Sequence, residues 1–150
     1  MAIEKVKEYF RQYEMEFRIQ ELSESSATVE LAAEALHCKP CRIAKTLSFL
    51  VHDMPILIVT AGDAKIDNAK YRHYFGAKAK MLTADKVVEL IGHAVGGVCP
   101  FAVKAGVKIY LDESTGLPNK NKCEEILSDP TSLGEEESTA ICVFDLNNLR

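Results

Sequence analysis

The chain has 150 residues, of which 47% are apolar and 27% charged, and its formal net charge is −4. That length suits one domain, residues 1–150, with a core of its own, and the charge argues against a broadly basic binder of DNA or RNA while leaving room for a local basic patch. No apolar run approaches membrane-spanning length, and Met1-Ala2-Ile3-Glu4-Lys5 leads into no signal-peptide core, so a cytoplasmic protein without a membrane partner is expected. Five cysteines, an odd number in no regular framework, suit a reducing compartment.

Ile3, Val6, Phe10 and Tyr13 recur at helical spacing and predict an amphipathic helix over 2–13. Phe17-Arg18-Ile19-Gln20 alternates like a strand, and a polar loop follows. Thr28 reads as the N-cap of a helix reaching about Leu36, with Leu31, Ala32 and Ala35 facing inward. Leu47–Val51 and Ile56–Thr60 read as antiparallel strands joined by a turn at 52–55. Asp67 caps a short helix that ends at Phe75 with Gly76 beyond it. Thr83 caps another, whose apolar stripe is Val87, Val88, Leu90 and Ile91, and Gly92 terminates it. Val107–Asp112 alternates as a strand. Residues 113–137 read as loop, Ala140–Phe144 as a last strand, and Asp145 as a cap for the tail.

Charge is uneven along this path. Residues 63–86 carry Lys65, Lys70, Arg72, Lys78, Lys80 and Lys86 against three aspartates, whereas residues 112–145 hold nine carboxylates against Lys120 and Lys122. Most such runs are solvated faces. The functional alternative is a basic segment that touches phosphates, for which Lys65, Lys70 and Arg72 are the candidates.

Two features carry chemistry. Gly96-Gly97-Val98-Cys99-Pro100-Phe101 interrupts the chain between a helix and a strand. Paired glycines allow close approach of main chain to a ligand, and consecutive N–H groups can receive a carbonyl oxygen or an anion. Lys45, at the mouth of a buried strand, either carries its ammonium out to water along its own stem or presents a fixed cation to a cleft. Cys38-Lys39-Pro40-Cys41 follows a helix instead of opening one, which is the wrong end to activate a thiol, and no second ligand pair accompanies it. We therefore read these as two incidental thiols and expect no metal or cofactor. Cys99 and His93 flank the glycine loop, but no Asn or Asp stands out to orient the histidine as a catalytic pair would need.

Four segments in order resemble one family. Arg42-Ile43-Ala44-Lys45-Thr46-Leu47, Gly62-Asp63-Ala64-Lys65-Ile66-Asp67, Gly96–Phe101 with Gly96 and Pro100 in a Gly-x-x-x-Pro loop, and Ile109–Ser114 resemble the YbaK / prolyl-tRNA synthetase-associated domain. The resemblance spans roughly 2–149. It implies an α/β fold with a mixed, strongly curved, barrel-like sheet and helices packed outside. It also implies an editing deacylase, which hydrolyses the ester of a mischarged tRNA, most typically tRNA(Pro), with prolyl-tRNA synthetase as a further candidate partner. By position Lys45 is the critical lysine, and Thr46, Gly96, Gly97, Val98, Cys99 and Pro100 shape the acyl site. In this resemblance, members acting on alanine esters place asparagine after the lysine, so Thr46 points away from alanine and towards the Lys-Thr-Leu type; the chain departs from the family pattern where Cys99 stands in place of a small residue such as serine and Ala102 in place of glycine. These departures, with the poor fit of 113–137, keep open a second expectation: a tRNA- or synthetase-binding module of the same fold that has lost catalysis.

Overall fold

The computed structural model describes residues 2–23, 28–112, 114 and 141–142. The order of elements is α1 (Ala2–Arg11), α2 (Val29–Ala35), β1 (Ile43–Val51), β2 (Met54–Ala61), α3 (Asn68–Phe75), α4 (Ala84–Leu90), β3 (Lys108–Leu111) and β4 (Ile141–Cys142). Short 3-10 turns at Glu16–Arg18 and Pro40–Arg42 follow α1 and precede β1.

The predicted hairpin forms and is longer than expected at both ends. β1 and β2 pair antiparallel from Ala44↔Ala61 to Val51↔Met54, so only His52 and Asp53 make the turn. Both adopt left-handed backbone, φ 47° and 64°, which is the geometry that matches the twist of two adjoining strands. β3 pairs parallel with β2, and β4 pairs parallel with β1, giving a mixed sheet of order β3-β2-β1-β4.

The register assigns the faces. Phe49, Ile56, Ile58 and Tyr110 share one side and pack with Tyr71 and Phe75 of α3. Leu57 and Ile109 point to the other side, where Val87 and Ile91 of α4 meet them. Helices therefore cover both faces, and β2 is buried from Ile56 to Ala61. The barrel-like closure is not found: among the described strands β3 and β4 lie at opposite ends of an open sheet. The four strands among the described residues are too few to curl back upon themselves.

The caps are local and form as predicted at two helices. Thr28 Oγ1 accepts from Leu31 N at 3.2 Å, and Asp67 Oδ1 accepts from both Ala69 N and Lys70 N at 3.0 Å. Gly76 closes α3 at φ 68°. Thr83 precedes α4 but its hydroxyl donates to Asp85 instead of capping a main-chain N–H. The strand expected at 17–20 is a 3-10 turn. Arg11 grips the carboxylate of Glu16 with Nε and Nη2, both at 2.8 Å, and folds this stretch back on the end of α1. Leu31 faces solvent and Ala33 takes the expected inward place beside Ala32 against Ile43. The expected loop over 113–137, apart from residue 114, the remainder of the last strand and the Asp145 cap lie outside the described residues.

Candidate functional site

A cavity of about 320 Å³ lies against the outer edge of β1. Val29 and Ala32 of α2 form one wall, β1 from Ile43 to Ser48 the floor, and Met81, Leu82 and Val87 another wall. Val95, Gly96 and Val98 of the glycine loop complete it. Among the described residues its lining has three hydroxyl residues, Thr28, Thr46 and Ser48, one lysine, and no carboxylate.

The floor owes its shape to strand pairing. Near its end β1 bonds the 80–82 segment, with Leu50 N donating to Lys80 O at 2.9 Å and Leu82 N donating to Ser48 O at 3.2 Å. Near its start Ile43 and Ala44 pair with β4. Ser48 and Leu50 thus turn their main-chain groups to this edge, and strand alternation turns those of Thr46 the same way. Among the described residues Thr46 lies between the two paired stretches, where the cavity meets the strand.

Lys45 is half-buried and contributes to the cavity lining, but its ammonium donates to the carbonyl of Ala64 in the β2–α3 connection. Strand alternation accounts for this: Lys45 shares a sheet face with Leu47, and Thr46 with Ser48. The Ala64 carbonyl is itself placed by a turn in which Ala64 N donates to Ala61 O at 3.0 Å. Gly62, at the head of that turn, has no room for a side chain, because a Cβ would run into the Pro40 carbonyl and Val29.

The glycine loop is tied at its neck and braced within. Lys104 N donates to Ile91 O at 3.0 Å, and Lys104 Nζ to Glu89 O at 2.6 Å. A turn at the tip has Gly97 N donating to Ala94 O at 2.9 Å, with Gly96 at φ 89°, where a glycine is at ease. Inside the loop His93 Nε2–H donates to Phe101 O at 2.8 Å, and Phe101 N donates to Cys99 Sγ at 3.3 Å. The Phe101 ring packs edge-on against Phe10 of α1, centroids 4.8 Å apart. Val98 and Val103 pack on Leu57, Val87 and Ile91.

His93 is buried, and its pKa is pushed below the ordinary imidazole value by loss of solvent; the Phe101 carbonyl works against that shift and the charge of Lys5 adds to it. Cys99 Sγ stands 3.9 Å from His93 Nε2, yet the thiol is buried behind the loop and that nitrogen is committed to Phe101. The pair is therefore built as part of the loop's interior and not as a nucleophile facing the cavity. Cys38 is half-buried, Cys41 exposed, and both are free thiols. Among the described residues no three His, Cys, Asp or Glu side chains cluster to hold a metal ion, and no helix is long and apolar enough to cross a membrane.

Of the residues singled out from sequence, Lys45, Thr46, Gly96 and Val98 meet at one cavity. Gly97, Cys99 and Pro100 are buried in the loop that supports it. Lys65, Lys70 and Arg72 are exposed on and before α3, outside the cavity lining. No sequence signal marks the walls from α2 and from Met81-Leu82, since only the folded chain brings them to β1. His93 as a brace is legible in sequence only as a polar residue amid apolar ones.

A family model described as the aminoacyl-tRNA editing domain matches residues 23–116, which hold every residue of the cavity. The chain is 50% identical over 115 residues to the uncharacterized protein YwhH of Bacillus subtilis (strain 168), a match covering 76% of this chain and 73% of that one. It is 33% identical over 94 residues to the proline–tRNA ligase of Lactobacillus gasseri, covering 61% of this chain but only 17% of the ligase. The fold is similar, at TM-score 0.69 and 23% identity, to the crystal structure of a candidate trans-editing enzyme for prolyl tRNA synthetase, over 95% of this chain and 94% of that one. The family model covers well over half of the chain, including the strand that bears Lys45 and the Gly-x-x-x-Pro loop: the chain belongs to the aminoacyl-tRNA editing domain family.

Proposed function

We propose that the protein is a freestanding deacylase that hydrolyses the ester of a mischarged tRNA in trans, with tRNA(Pro) as the foremost substrate. The observation that carries this reading is the convergence of Lys45, Thr46, Gly96 and Val98 on one cavity. An aminoacyl ester is already activated, so a positioned water suffices as nucleophile. Water adds to the ester carbonyl, and the oxyanion that forms collapses by breaking the bond to the ribose oxygen. That oxygen leaves with the proton given up by the water, and the neighbouring ribose hydroxyl is placed to relay it.

The chain's part is to hold the acyl group. Gly97 N–H is engaged by Ala94, so the loop amides left for the oxyanion are those of the lining residues Gly96 and Val98. Thr46 offers main-chain groups at the strand edge, suited to the α-amino and carbonyl ends of an amino acid. A substrate oxygen or phosphate draws Lys45 by taking the place of the Ala64 carbonyl, and the ion pair so made is stronger than the bond to a neutral carbonyl. The apolar walls, Val29, Ala32, Leu82, Val87 and Val98, suit a small uncharged side chain, which such a pocket selects by size.

One observation favours the second reading, a binding module without catalysis: the Lys45 ammonium rests on Ala64 and not on the cavity. A panel of mischarged proline tRNAs separates the two. Wild type is expected to release at least one amino acid, and Lys45→Ala to lose about a hundredfold or more of that rate, on the scale of one lost charge-stabilising donor. Binding of tRNA with no turnover on any panel member supports the module instead.

A further inference from the structure

Phe101 closes the glycine loop, and side chains of the loop itself meet both of its polar main-chain groups. His93 Nε2–H donates to its carbonyl at 2.8 Å, where the Cys99 thiol is a second, weaker donor at 3.5 Å, and Cys99 Sγ accepts from its N–H at 3.3 Å. Pro100, just before it, brings no N–H to the segment. The imidazole is 1% exposed, so its burial costs solvation that this hydrogen bond offsets. The strut runs from residue 93 to residue 101, and the cavity-lining residues Val95, Gly96 and Val98 all lie between its ends. On the far side the Phe101 ring is held by Phe10 and Tyr9 of α1, with centroids at 4.8 and 5.8 Å.

We infer that His93 is a positioning residue, which holds the Gly96–Pro100 loop in the shape that walls the cavity through its bond to the Phe101 carbonyl. Its catalytic consequence rests on the editing reading above; its mechanical part does not. The side chain touches no substrate. A neutral imidazole suffices, because one N–H is the group used. Leucine fills the space without a donor, asparagine keeps a donor that falls short of Phe101, and glutamine carries an N–H at about the reach of Nε2.

The test compares H93L, H93N and H93Q in the full chain by two readouts. One is amide exchange at Gly97, whose N–H closes the loop-tip turn on Ala94. The other is kcat and KM on a mischarged tRNA. H93L and H93N are expected to exchange about tenfold faster at Gly97 and to lose about tenfold in kcat with a smaller change in KM, as expected for a part-buried carbonyl left with only the weak Cys99 thiol donor. H93Q should recover most of both. A purely structural role would lower the melting temperature without that split and without rescue by glutamine. Equal loss in H93Q and H93L, or wild-type exchange and kcat in both loss variants, overturns the inference. Should H93L fail to fold, H93N against H93Q carries the comparison. If wild type hydrolyses no ester while exchange still follows the glutamine–asparagine split, the strut stands and the editing reading falls.

Discussion

Ala102 sits at φ 54°, in the left-handed region where a Cβ crowds the following carbonyl. It follows Phe101 at the point where the glycine loop turns towards β3, and the family resemblance places glycine there. Ala102→Gly is expected to raise stability by roughly 0.5–1 kcal/mol, the relief of left-handed strain less the extra chain entropy that glycine loses on folding. Urea unfolding measures this; an equal loss in A102G would mean that the Ala102 methyl packs better than its backbone suffers. The departure is visible in the sequence, but its meaning is not, since a backbone angle has no signature in one residue name. Lys45 shows the same limit. Its place on the strand is legible, whereas the carbonyl it holds is 19 residues on and comes near only through the β1–β2 hairpin and the turn after it.

At the scale of elements, what is legible in the sequence is what is local. Asp67, Gly76 and Thr28 act within a turn of their helices, so their roles can be read directly. Four alternating residues at 17–20 are too short a run to outweigh the Arg11–Glu16 pair that makes a 3-10 turn there. The hairpin falls where its apolar runs predict, but its turn is two residues shorter, because Met54 and Pro55 belong to β2. A two-residue turn with both residues left-handed favours glycine at its second place, which Asp53 occupies. Asp53→Gly should therefore stabilise the protein by about 0.5–1 kcal/mol, with no change in catalysis, because the turn lies at the end of β1 away from Thr46. Thermal and urea unfolding would show it, and a lower midpoint in D53G would mean that the aspartate makes a compensating interaction.

The molecule as a whole puts its candidate cavity on one edge of a sheet and the basic residues Lys70 and Arg72 on another element. Lys70 and Arg72 project from α3, which covers the sheet face opposite α4, while the cavity is walled by α4 and the glycine loop. If α3 tracks the acceptor stem while the acyl end enters the cavity, Lys70→Glu with Arg72→Glu should weaken tRNA binding and flatten its salt dependence by about one unit of log–log slope for each phosphate no longer neutralised. An unchanged slope in the double variant removes α3 from the interface. That the sheet is mixed is legible through the resemblance. Its openness is not, because closure depends on how many strands pair and no periodicity counts them.

The outer edge of β1 has one more consequence. A strand edge with free main-chain groups invites another polypeptide to add a strand, and proteins usually cover or interrupt it. Here, among the described residues, β4 takes Ile43 and Ala44, the 80–82 segment takes Ser48 and Leu50, and the gap between is centred on Thr46. An added strand is commonly about three to ten residues long, and this gap is shorter than almost all of them. Under the proposed function, a gap of that length would offer peptide groups to a single amino acid while refusing them to a chain, so that a site built from backbone would coexist with resistance to aggregation.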